Sequence, residues 1–201
     1  MNASLPFPRM KRVAQISDAH CGPAVLRMLL SNLGINQTKQ SEIVAASGVE
    51  NRIWVHGVTV WELARAVNRL LPEVNLWYKD HATVDELDVL INQYRIPVGV
   101  EWQGVFREYD DGDSGHYGVA TYLNQELERI KIADPFSAFA GRDRIFKLPF
   151  FLKRWWDTNE LTDPGTGQRR YFLDEKMMFV VVPNEVTVPS LFGMIRDEEL
   201  G

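Results

Sequence analysis

The chain has 201 residues, 45% of them apolar and 24% charged, the balance of a folded globular protein, and its length suits a single domain over 1–201. A net charge of −5, with no run of lysine and arginine, argues against a nucleic-acid partner. A single cysteine excludes an internal disulfide and a structural zinc site built on several thiolates, so neither metal nor cofactor is expected.

The opening MNASLPFPRMKR holds no apolar segment of signal-peptide length. No stretch approaches the roughly 20 apolar residues that cross a bilayer. A cytoplasmic protein without membrane insertion is the expectation. Gln15-Ile-Ser-Asp-Ala-His-Cys21 then leads into Gly22-Pro23 and the apolar AVLRMLLSNL, with Gly34 behind it. Proline in the first turn and glycine just past the end punctuate a helix. A shorter helix is predicted over 41–48. Thr59 with Glu62 has capping-box spacing before WELARAVNRLL, and Thr83 with Glu86 repeats it before LDVLINQY. Together these form a helical half over about 15–95.

Short runs rich in β-branched and aromatic residues follow at 96–102, 117–123, 128–133 and 177–182, separated by turn residues as antiparallel strands are. PFFLKRWW over 149–156 reads as a short helix between strands. The segment 159–170, with Asp163-Pro164-Gly165-Thr166-Gly167, reads as an exposed loop or hairpin tip. This sheet half covers about 96–185, and a tail occupies 186–201. Helices first and strands second predict an α+β fold with an antiparallel sheet, not alternating βαβ units.

A lone cysteine is ordinarily a small buried hydrophobe. Cys21, however, directly precedes a helix opening, where free N–H groups and partial positive charge stabilise a thiolate. Gly22 beside it leaves room for a substrate backbone. The upstream Gln15 amide can reach back beside the sulfur and, with the Cys21 N–H, form an oxyanion hole. Of the four histidines, His116 is the candidate base, because it follows Gly115 and opens the strand HYGVATYL. His20 adjoins the nucleophile, but neighbouring side chains at a helix start diverge. His56 and His81 read as solvent-facing or capping. Lys131-Ile-Ala-Asp134-Pro135 closes the next strand with a carboxylate. A tight turn near Asn124 would bring Asp134 beside His116, where it orients the ring and stabilises imidazolium. Asp110, Asp111 and Asp113 read as a solvated loop, and a metal site on Asp18, His20 and Cys21 lacks a fourth ligand. Trp54, Trp61, Trp77 and Trp102 read as core or cleft wall, and at least one of Trp155 and Trp156 should face outward.

In this order, Gln15, Cys21-Gly-Pro-Ala, Gly115-His116 at a strand start and Asp134-Pro135 resemble the double-glycine leader peptidases. These are papain-like cysteine peptidases best known as N-terminal domains of bacteriocin-exporting ABC transporters. The resemblance implies a papain-like fold, with the helical half packed on the C-terminal antiparallel sheet. It also implies Cys21 as nucleophile, His116 as base, Asp134 as orienting acid, Gln15 as oxyanion donor, and a peptide or protein substrate as partner. Many members place aspartate directly before the cysteine, where this chain has His20, and no GxxxxGK[ST] ATPase motif occurs. The expected reaction is hydrolysis of a peptide or isopeptide bond. Acyl transfer or deamidation on the same scaffold, and a non-catalytic peptide-binding module, are the alternatives.

Overall fold

The computed structural model describes residues 6–106, 114–162 and 166–196. Helix α1 (Cys21–Asn32) is apolar nearly all round, and Ala24, Val25, Leu26, Met28, Leu29 and Leu30 are all buried. A helix of that composition belongs in the middle of a core. Helix α2 (Gln40–Ser47) stops at Gly48, whose φ of 74° is the left-handed cap that glycine adopts without strain. A single turn, α3 (Ile53–His56), precedes α4 (Val60–Leu70), which buries Val60, Leu63, Ala64 and Val67 along one face. Strand β1 (Val74–Lys79) follows, then α5 (Val84–Asp88), which runs into a π-helical turn (Val89–Gln93). Thr83 and Glu86 form the capping box read from the sequence: Thr83 N–H donates to Glu86 Oε2 at 2.8 Å and Glu86 N–H to Thr83 Oγ1 at 3.2 Å.

The remaining elements are β2 (Val98–Gln103), β3 (Gly115–Asn124), β4 (Arg129–Ala133), β5 (Asp143–Lys147), α6 (Leu148–Arg154), β6 (Trp156–Thr162), β7 (Arg169–Glu175) and β8 (Met178–Pro183). A 3-10 turn (Val188–Phe192) and the short β9 (Ile195–Arg196) follow. Seven strands form one sheet in the order β5-β4-β3-β2-β8-β1-β9, while β6 and β7 pair separately. Every pairing is antiparallel. Helix α1 packs against β3, β2 and β8, and one hydrophobic cluster joins the helices to the sheet. Strand β2 is buried at every residue, as a central strand covered on both sides should be. No described helix is long and apolar enough to cross a membrane.

The class, mixed helix and antiparallel sheet, is the expected one, but several elements differ. Strand β1 interrupts the stretch read as helical, and β9 turns part of the expected tail into a sheet edge. VNLWYK carries the strand formers Val, Trp and Tyr, and it pairs with the distant β8. The segment 159–170, read as an exposed loop or hairpin tip, holds the end of β6 and the start of β7, which pair as an antiparallel hairpin. The helix predicted over 149–156 ends at Arg154, because Trp155 turns into the core and Trp156 starts β6. Trp54 is exposed, whereas Trp102 and Trp155 are among the largest buried side chains. Asp110, Asp111 and Asp113 lie outside the described residues.

Candidate active site

A tight turn feeds α1. His20 N–H donates to Ser17 O at 3.0 Å, the Ser17 hydroxyl pairs with His20 Nδ1 at 2.6 Å, and His20 O accepts Ala24 N–H at 3.0 Å. His20 is therefore the N-cap, and Cys21 is the first helical residue, partly exposed at the helix N-terminus. The first N–H groups of a helix have no intrahelical acceptor and favour a negative charge placed on them. Gly22 serves a different purpose from the one expected. A Cβ there would sit 2.6 Å from Val58 Cγ1 and 3.4 Å from Leu63 and Tyr117. The missing side chain lets the helix start settle against the core; it does not open a path for substrate.

His116 lies near the start of β3, opposite Trp102 on β2, and is buried. Its Nε2 pairs with Asp134 Oδ1 at 2.8 Å, and Phe106 meets the ring edge-on at 4.9 Å. With Nε2 committed to the carboxylate, Nδ1 is the ring nitrogen left for the sulfur. Burial alone would lower the His116 pKa, but Asp134 and the nearby Cys21 sulfur outweigh it and raise the value to about 9. A protonated ring beside a thiol is the arrangement an imidazolium–thiolate pair requires.

Asp134 follows β4 and is buried. Besides His116, it accepts the Phe136 N–H at 2.9 Å and Arg144 Nη1 at 2.7 Å. Burial pushes its pKa up, but His116, the Phe136 N–H and the Arg144 guanidinium overcome that and hold it below the ordinary carboxylate value. Arg144 also donates to Val105 O at 2.8 Å and lies 3.7 Å over the Phe139 ring. Sequence reasoning missed this residue. It stands on β5 opposite Ile132, and only that pairing shows that it reaches Asp134.

Gln15 is tied to the same end of the sheet, since its backbone N–H donates to Pro135 O at 2.8 Å. Its Nε2 donates to Ser17 O at 2.9 Å, and its Oε1 is buried without a partner. One amide hydrogen thus holds the turn that carries Cys21, and a primary amide has a second to offer an oxyanion. Cys21, His116, Asp134 and Gln15 therefore converge on one region, although Gln15 bonds Ser17. His20 bonds Ser17 and meets Trp54 edge-on at 5.5 Å, and burial lowers its pKa. His56 lines the cleft described next rather than facing open solvent, while His81 lies near Asp80 and Glu175. Among the described residues, no group of histidine, cysteine and carboxylate side chains fits a metal ion, so Asp18, His20 and Cys21 do not form a ligand set.

A cleft of about 560 Å³ opens over Cys21. Trp54 and Val55 of α3 line one side, Asp157 and Glu160 of β6 the other, and the buried Glu101 and Tyr117 close its base. The β6–β7 hairpin thus contributes to the lining of the cleft. The Cys21 thiol lines a cleft of the size that small-molecule and side-chain pockets have. No family model matches the chain, and no curated protein matches it.

Proposed function

We propose that this chain is a papain-like cysteine peptidase that hydrolyses a peptide or isopeptide bond, acting on a peptide or protein substrate in the cytoplasm, where a lone thiol stays reduced. The observation that carries the reading is the buried His116–Asp134 pair at 2.8 Å, set beside a cysteine that opens a helix. The resemblance to double-glycine leader peptidases supports it, as does a helical part packed on an antiparallel sheet.

In this reading the Cys21 thiolate attacks the carbonyl carbon, and the electron pair of the C=O bond moves onto oxygen. The Cys21 N–H and the Gln15 amide stabilise that oxyanion. Collapse expels the amine, which takes its proton from His116 Nδ1, and leaves a thioester on Cys21. His116 then removes a proton from water as the hydroxide adds to the thioester, and collapse of the adduct expels the Cys21 thiolate, which releases the acid and restores the imidazolium–thiolate pair. Asp134 holds the ring in place throughout and stabilises its charged form.

The test is mass spectrometry of a diverse peptide mixture incubated with the wild type, Cys21→Ala and His116→Ala, with and without an added amine. New N-termini produced by the wild type alone support hydrolysis. Cleavage that survives Cys21→Ala contradicts it, and products carrying the added amine or a deamidated side chain assign acyl transfer or deamidation instead.

A further inference from the structure

The base of the cleft holds an acidic group that the hydrolytic steps do not use. Glu101 sits within β2 at 1% exposure, directly across the ladder from Tyr117 at 4%. Its Oε1 accepts Asn159 Nδ2 at 3.2 Å, and the same nitrogen bonds Asp174 Oδ2 at 2.7 Å. Asp157 approaches from the same hairpin, held by Gln103 Nε2 at 2.9 Å. It lies so close to the chain that a Cβ on Gly115 would fall 2.2 Å from Asp157 Oδ2. The Glu101 side chain interacts with both the Tyr117 hydroxyl and Asp174, although the Tyr117 hydroxyl and Glu101 Oε2 lack a hydrogen bond of ordinary length and angle. Glu101 and Tyr117 both line the cleft.

A buried carboxyl group is costly unless a cation or a full set of donors meets it. Burial, together with the charges of Asp157 and Asp174, pushes the Glu101 pKa well up. The lining as a whole is acidic: Asp18, Glu101, Asp157 and Glu160 face Arg169, which pairs with Glu160 at 3.3 Å.

We propose that this pocket receives a basic side chain of the substrate, lysine or arginine, next to the bond that Cys21 attacks, with Glu101 and Tyr117 determining the specificity. An ammonium or guanidinium donates to Glu101 Oε2 and the Tyr117 hydroxyl. The inference rests on Cys21 being the nucleophile, so its test is built to fail separately.

Chloromethyl ketones of acetyl-lysine, acetyl-arginine and acetyl-norleucine are compared for their rate of labelling Cys21 in the wild type, with iodoacetamide run in parallel on wild type and His116→Ala. Norleucine keeps an apolar stem and lacks the charge. The basic reagents are expected to react at least about tenfold faster than norleucine, and Glu101→Gln to remove most of that ratio. Equal rates in the wild type overturn the subsite even where iodoacetamide labelling depends on His116. This comparison needs no variant of the pocket to fold. Iodoacetamide labelling that ignores His116 overturns the catalytic reading instead. The subsite is then decided by calorimetry on Cys21→Ala: saturable binding of acetyl-lysine methylamide, tighter than the norleucine analogue, upholds it, and no binding overturns it.

Discussion

His116 balances opposed influences. Burial disfavours the imidazolium, whereas Asp134 and the Cys21 sulfur favour it strongly enough to bring the ring to about 9. In Cys21→Ser the ring keeps Asp134 and loses the sulfur. Followed by NMR, His116 should therefore titrate at lower pH in that variant than in the wild type; an unchanged midpoint would mean that sulfur and ring do not interact. The raised value also fixes a stability slope. The folded state binds this proton more tightly than the unfolded chain, so the contribution is complete below the ordinary 6.5 and is lost as pH rises through about 9. Asp134 runs the other way: its contribution is present above the ordinary 3.8 and is lost as pH falls through its depressed value. Asp134→Asn removes the carboxylate from both His116 and the Arg144 guanidinium. Denaturant unfolding near neutral pH should show a loss of about 3–5 kcal/mol, as expected when one partner of a buried ion pair is removed. The loss should shrink above about pH 9, where His116 no longer needs its counter-ion. A loss that is constant across that range would remove His116 from the account.

Cys21, His116 and Asp134 were legible because each carries a local signal: a helix opening, a strand start after glycine, and an Asp-Pro strand end. Glu101 and Arg144 carry none. A glutamate in VGVEWQ and an arginine in DRIFK look like ordinary outward-facing charges. Their roles come from β3 and from the β6–β7 hairpin in one case, and from the β4–β5 pairing in the other.

At the scale of elements, β3 and β4 position the pair. Their ladder slips between Ala120 and Tyr122, and Thr121 at the slip donates to Asp143 Oδ2 at 2.6 Å. Asp143 in turn takes Arg12 at 2.8 and 2.9 Å, and that guanidinium also gathers the carbonyls of Pro6, Phe7 and Met10. The N-terminal segment that leads to Gln15 is thereby fastened to the strand pair that carries His116 and Asp134. Both side chains are almost fully buried, so Asp143→Ala strands a charge and should cost about 3–5 kcal/mol by chemical denaturation. A loss below about 1 kcal/mol, the size of an exposed pair, would show the network to be incidental. Helices α1, α2 and α4 could be read in advance because caps and apolar period are local. Strands β1 and β5 were not read, and of the β6–β7 hairpin only its tip was. Their pairing joins segments that the local sequence pattern does not connect.

At the scale of the whole molecule, α1 packs on the sheet and its first residue lines the cleft. The helix supplies the sulfur, the sheet supplies the ring and its carboxylate, and the hairpin and α3 wall the space above. In the proposed reading, that division makes the sulfur depend on a residue far away in sequence. The most direct measurement is the pH dependence of Cys21 alkylation by iodoacetamide in the wild type and in His116→Ala. The account predicts that the wild type is alkylated faster than His116→Ala from neutral pH downward. Rates that match in the two proteins across the whole pH range would contradict it, and would leave the fold as a binding module without an activated nucleophile.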